Sequence, residues 1–191
     1  MFWKTIIAGV VLLGIVFSVF QVALVPTGSM ERTVLIGDHI LVNRMGYWFS
    51  RVQRGDVVSF HPPGRNRNDV YLKRAVAVGG DRIEIRDGVV YVNGARISEP
   101  YVQHVCELCE TSNMKLRVPD GSLFVMGDNR ELSEDSRVFG TVPESAVIGR
   151  PVMVLWSFSI PTEKWMRAPV TAYLNHPLAH LRWARLFRSL Q

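Results

Sequence analysis

Three separated stretches hold the side chains able to do covalent chemistry. In the first, residues 26–33 (PTGSMERT), Ser29 follows a glycine and is preceded by Pro26 and Thr27. Such a turn lets a hydroxyl protrude while the backbone comes close to a substrate. Serine is a weak nucleophile at neutral pH and needs a base beside it. The second stretch, residues 70–81 (VYLKRAVAVGGD), sets Lys73 next to Arg74 inside an apolar run. In a half-buried strand one of two adjacent residues points inward. A lysine facing apolar neighbours is pushed toward its neutral form, because desolvation penalises the ammonium. The third, residues 127–140 (GDNRELSEDSRVFG), gathers Asp128, Ser133, Asp135 and Arg137 in an ordered polar loop suited to buried ion pairing. It has neither the spacing of an EF-hand nor the lysine of a P-loop, and no metal site is expected in it. Taken singly, each stretch also reads as ordinary structure: a linker, a lysine on a strand edge, a metal or phosphate loop.

The elements expected to position these residues are strands. Residues 34–42, 56–60, 70–78, 82–92, 122–128 and 146–158 are short, β-branched runs bounded by Gly, Pro and Asp. Asp87-Gly88 between two alternating runs is a strong hairpin signal. No convincing amphipathic helix lies among them. The expected fold is mainly β, a barrel-like or two-sheet antiparallel catalytic domain over residues 26–160. Residues 61–69 form a polar, Pro/Gly-rich loop, and 100–119 a longer excursion with both cysteines. No repeat or low-complexity tract interrupts the chain.

Residues 5–25 carry no charge, and about 20 such residues span a bilayer as a helix. A cleaved secretory leader is the competing reading, although its apolar core is usually about 7–15 residues long. Residues 1–25 are therefore expected to be a retained single-pass anchor. Lys4 before the span favours a cytoplasmic N-terminus, with the remainder outside the cytoplasm. Of the 191 residues, 22 are Lys or Arg and 17 Asp or Glu, a formal charge of +5. So small an excess does not call for nucleic acid. Residues 161–191 read as a basic amphipathic tail, with a short helix from about Pro177 that either touches the membrane or packs on the domain.

Together the three stretches resemble type I signal peptidases, the bacterial leader peptidase family with a Ser/Lys dyad. The resemblance runs from residue 26 to about 158, and GDNRELSEDSR following LKRAVAVGGD is its most specific part. It implies a serine endopeptidase of the bacterial inner membrane, its catalytic domain periplasmic, that removes signal peptides from preproteins at Ala-x-Ala-like sites. No cofactor is implied; the lipid bilayer and the secretion machinery are the other partners. By resemblance, Ser29 is the nucleophile and Lys73 the general base. The Ser29 N–H and the Thr27 hydroxyl form the oxyanion hole, and Ser133 orients the Lys73 amine. Asp135 with Arg137 braces the loop, Asp128 supports it, and Met30 helps place the nucleophile near the membrane surface. The family's nucleophile block usually continues Ser-Met-x-Pro-Thr, whereas Arg32 stands before Thr33 here. That departure leaves open a specialised branch, such as a conjugation-type processing peptidase.

Other readings stand beside this one. Asp38-His39 near Ser29 admits a Ser–His–Asp hydrolase, although no Gly-x-Ser-x-Gly elbow is present. A self-cleaving repressor would be cytosolic, against the apolar run. A non-catalytic membrane-tethered β-domain is the reading from another class. Cys106 and Cys109 are expected to form a disulfide within their loop, since thiols outside the cytoplasm tend to oxidise. Half a zinc site with His104 and a redox pair are the alternatives.

Overall fold

The β-branched runs pair into two antiparallel sheets. In the computed structural model, which describes residues 2–66, 69–102, 113–159 and 181–190, helix α1 (Phe2–Val19) leads into β1 (Phe20–Leu24), β2 (Asp38–Asn43), β3 (Val57–Phe60) and β4 (Tyr71–Val78). The chain continues through β5 (Arg82–Arg86), β6 (Val89–Val92), β7 (Ala95–Arg96) and β8 (Met114–Arg117). It then forms β9 (Ser122–Met126), the one-turn helix α2 (Ser136–Phe139), β10 (Val142–Pro143) and β11 (Val147–Ser157). The larger sheet has the order β1-β2-β11-β3-β4-β9-β10, and the smaller β7-β6-β5-β8.

Long β11 pairs first with β3 and then with β2, and its register shifts at each contact. Shifts of this kind kink a strand and increase its twist, so one strand serves both halves of a curved sheet. A further shift between Ala75 and Ala77, where β4 pairs with β9, follows directly on Lys73 and Arg74. The smaller sheet closes on β4 and β9 through Val76, Ala77, Phe124 and Met126, which share a core with Ile83, Ile85, Val90 and Val92. A second core joins Val25, Met30 and Val34 to Ile40, Val42, Val154 and Leu190, and it holds the turn that carries Ser29.

The sequence expectations meet this architecture unevenly. Asp87 and Gly88, with φ of 48° and 75°, make the tight hairpin between β5 and β6. The apolar run 5–25 divides instead of forming one element: α1 ends at Val19, and β1 pairs residue by residue with His39–Asn43 of β2. Pairing wins over continued helix because β2 offers an open edge and Ala23 a place against the second core. Eighteen helical residues measure about 27 Å, short of a hydrocarbon core of about 30 Å. Among the described residues no helix is long and apolar enough to cross a membrane.

The expected tail helix does not form over residues 181–190. They contain a single 3-10 turn, Trp183–Arg185, and bridge from Ser189 to Met153 of β11 and from Leu181 to Phe158 just beyond it. Arg185 and Leu190 turn inward and are buried. His104, Cys106 and Cys109 lie outside the described residues, as does Pro177.

Candidate active site

The Ser29 turn is closed at its base by two backbone bonds. Val25 N–H donates to Asp38 O at 2.9 Å and Gly37 N–H to Val25 O at 3.0 Å. Inside it, Val34 N–H reaches Met30 O at 2.8 Å. Met30 is 1% exposed, and burying such a side chain contributes on the order of 2 kcal/mol to holding the turn. Met30, expected to help place the nucleophile, is an anchor of the turn in the second core.

Across from the turn, β4 presents Lys73, 4% exposed, with its Nζ 2.6 Å from Ser29 Oγ. Thr27 Oγ1 lies 3.4 Å from the same hydroxyl. Among the described residues the Ser29 backbone N–H meets no acceptor, while Asn129 N–H donates to the Ser29 carbonyl at 3.1 Å. Burial pushes the Lys73 amine down to about 8, against the opposing pull of Asp135 and Glu134, and Arg137 lowers it further. The like charge that matters is thus Arg137. Arg74, its neighbour in sequence, is held in a bidentate pair with Asp128 at 2.9 and 2.7 Å. Both members of the Lys-Arg pair are covered, so neither is the solvated strand-edge residue that alternation allows for.

The polar loop is organised around Asp135. Its carboxylate accepts from Gly127 N–H at 3.0 Å, from Ser133 Oγ at 2.7 Å and from Arg137 Nε at 2.8 Å, and it caps α2. Burial alone would raise this carboxyl; the Arg137 guanidinium and the backbone and hydroxyl donors outweigh it and hold the group below its ordinary range. Ser133 was expected to orient the Lys73 amine. Its hydroxyl donates to Asp135 instead, the stronger acceptor within reach. Asp128 does tie blocks together, because Thr33 Oγ1 donates to its Oδ2 at 2.5 Å while Arg74 grips both oxygens.

Several contributors escaped the sequence reading. A Cβ on Gly127 would stand 2.2 Å from Ser133 Oγ and 2.5 Å from the Ser29 carbonyl oxygen, so only glycine fits between the loop and the turn. Glycine-aspartate directly after a strand was the available signal. Buried Arg130 pairs with Glu99 and donates to Gly127 O at 3.1 Å. Tyr101 covers Arg74, with the guanidinium 4.0 Å from its ring centre. Glu134 accepts from Tyr71 Oη at 3.4 Å and pairs with Arg65 at the edge of the site.

Beside the Ser29–Lys73 contact opens a cavity of about 270 Å³, walled by Leu24, Val25, Ile40, Tyr71, Leu72 and Leu132. Two strand edges border it. Among the described residues β1 pairs only with β2, and the β9 ladder begins at Arg74, which leaves Tyr71 to Lys73 unpaired on that side. The Asp38-His39 pair takes no part. Asp38 is bound to Arg185 at 3.0 Å, and His39 stacks on Trp156 at 5.2 Å.

Residues 1–156 match the family model described as signal peptidase, peptidase S26. The chain belongs to this signal peptidase family. A probable signal peptidase I-1 of Synechocystis sp. is 36% identical over 155 residues, 78% of this chain and 76% of that protein. Signal peptidase IB of Staphylococcus aureus is 35% identical over 146 residues, 69% of this chain and 75% of the relative. A crystal structure of a signal peptidase I from Enterococcus faecalis V583 aligns with a TM-score of 0.46 at 32% identity, covering 53% of this chain and 97% of the other. Type I signal peptidases are serine endopeptidases acting on signal-peptide-bearing preproteins, and this chain is an enzyme of that class. The match to the signal peptidase model ends at residue 156, leaving the segment 181–190 beyond it.

Proposed function

We propose that the protein cuts N-terminal signal peptides from exported preproteins after small residues, with Ser29 as nucleophile and Lys73 as general base. The 2.6 Å contact between the two side chains, at a lysine whose pKa is lowered to about 8, carries this reading. A neutral amine takes the Ser29 proton as Oγ attacks the scissile carbonyl, and returns it to the leaving amine when the peptide bond breaks. The same amine then draws a proton from the water that hydrolyses the acyl-enzyme. Charge developing on the carbonyl oxygen is met by the Ser29 N–H and the Thr27 hydroxyl, two donors that need no reorganisation during the reaction. Asp135 and Arg137 brace the loop, Ser133 acts through Asp135, and Asp128 locks the strand to the turn.

An extended substrate pairs with the free edges of β1 and β4, and its alternate side chains enter the apolar cavity, which favours alanine-sized groups. Helix α1, apolar and uncharged beyond Lys4, tethers the enzyme to the inner membrane with its catalytic domain on the periplasmic side. There the secretion machinery delivers preproteins close to Ser29, which lowers the entropic cost of their encounter. Arg32 favours a specialised branch as a second reading. Its φ of 88° is closed to the proline usual at this position, whose ring fixes φ near about −65°.

Preprotein cleavage by the full-length protein in detergent tests the proposal. Ser29→Ala and Lys73→Arg are expected to be inactive, because a guanidinium keeps the charge but does not deprotonate. Thr27→Val is expected to lower turnover about 10²–10³-fold with little change in KM. Most of the turnover surviving in Lys73→Arg would assign the base to another residue.

A further inference from the structure

The nucleophile turn is gripped from two sides, and Thr33 is where the grips meet. On the side of the polar loop its hydroxyl donates to Asp128 at 2.5 Å. On the opposite side its carbonyl accepts from Arg185 Nη2 at 3.1 Å. The same guanidinium reaches Asp38 with Nε at 3.0 Å and with Nη2, and Asp38 Oδ2 in turn accepts Leu35 N–H at 2.9 Å. Three residues before Arg185, Arg182 donates to Ile36 O at 2.9 Å and to Ser157 Oγ at 3.2 Å. Leu190 enters the core that contains Met30 and Val34. The segment is fixed to β11 by Val154 N–H on Arg188 O at 2.9 Å and Leu190 N–H on Val152 O at 3.0 Å.

The hydrogen bonds of residues 181–190 with the turn fall between Thr33 and Asp38, a few residues after Ser29. A buried carboxylate and arginine are held in one geometry by a fork of donors, and such a fork fixes orientation as well as distance. We propose that residues 181–190 form a strap that positions the nucleophile turn, with Arg185 as its positioning residue. This rests on the reading of Ser29 as the nucleophile. The strap lies outside the part of the chain matched by the signal peptidase model, residues 1–156, and this enzyme's turnover depends on it. Arg185 touches neither the cavity lining nor Lys73. Its effect falls on the alignment of Ser29 with Lys73 and leaves the peptide-binding walls in place.

The test uses the full chain in detergent with a synthetic Ala-x-Ala peptide. Arg185→Met combined with Asp38→Asn removes the pair without leaving a buried charge unpaired. Arg185→Lys keeps one charge but loses the fork. In the folded double variant kcat is expected to fall about 10²-fold with KM within about twofold, as for a displacement of roughly 1 Å at the reacting atoms. Arg185→Lys is expected to recover the melting temperature more fully than kcat. Active sites are counted from the acylation burst, so that a loss of folded enzyme is separated from a loss of turnover per site. Wild-type kcat per active site in either folded variant would overturn the strap. Cleavage surviving Ser29→Ala in the same assay would overturn the nucleophile reading beneath it.

Discussion

Two ion pairs beside the Ser29 turn and the polar loop are shielded from water: the side chains of Arg137 and Asp135 are 5% and 0% exposed, and those of Arg185 and Asp38 8% and 0%. On the smaller sheet Glu84 is shared by Arg86 and Lys115, whose side chains are 54% and 70% exposed. Exposed pairs of that kind contribute little, whereas breaking a buried pair strands a charge in a poor solvent. The shielded pairs surround the Ser29 turn and the polar loop, the two parts that must keep register with Lys73. The pairs on Glu84 decorate a sheet whose apolar core already fixes it. Lys73 differs from both groups. It is buried, yet among the described residues no carboxylate lies within 4.0 Å of its amine, and burial lowers its pKa.

Asp135→Asn breaks the shielded side most severely. Arg137 loses its carboxylate, and the expected loss is about 3–5 kcal/mol of stability, read by chemical denaturation. Turnover per folded enzyme is expected to fall at least about 10²-fold, because the loop no longer holds its place against the turn. The carboxyl of Asp135 is held below its ordinary range, so its contribution is present above the usual carboxylate pKa and disappears as pH falls through the lowered value. That part of the acid-induced unfolding should be absent from the variant.

A smaller effect is expected at the turn itself. Arg32 occupies the left-handed region with φ of 88°, strained for any residue with a Cβ. Arg32→Gly should stabilise the fold by about 0.5 kcal/mol, while Arg32→Pro should cost about 3 kcal/mol or more; thermal melts decide both. Smallest of all is Glu84→Gln on the smaller sheet. Its melting temperature and turnover at about 0.15 M salt should match those of the unaltered protein, and a clear loss would erase the contrast between the sheets.

The sequence disclosed side-chain chemistry and local turns, and it concealed what depends on pairing at a distance. Asp87-Gly88 announced its hairpin. Asn93-Gly94, with φ of 54° and 84°, carries an equal signal for the turn into β7, but a strand of two residues leaves no periodicity to accompany it. Ser29 and Lys73 were readable by type, and their meeting depends on β4 pairing with β3 and β9. Strand β1 was hidden because an apolar run looks alike whether it continues a helix or joins a sheet. The partnership of Arg185 with Asp38 spans 147 residues, and the tail's mixture of Arg and Trp suggested a surface helix. Ser133 was assigned to Lys73 by resemblance; its hydroxyl donates to the carboxylate two residues away.

The ionisation of the Lys73 amine tests the central claim most directly. Following its Nζ by NMR in isotopically labelled, detergent-solubilised enzyme, alongside kcat/KM for a preprotein, should give one midpoint near 8 in both. Activity should fall on the acid side of that midpoint as the amine gains the proton that prevents it from accepting one from Ser29. An amine that titrates at the ordinary lysine value, about 10.4, with an acid limb set by some other group, would contradict the Ser29–Lys73 mechanism.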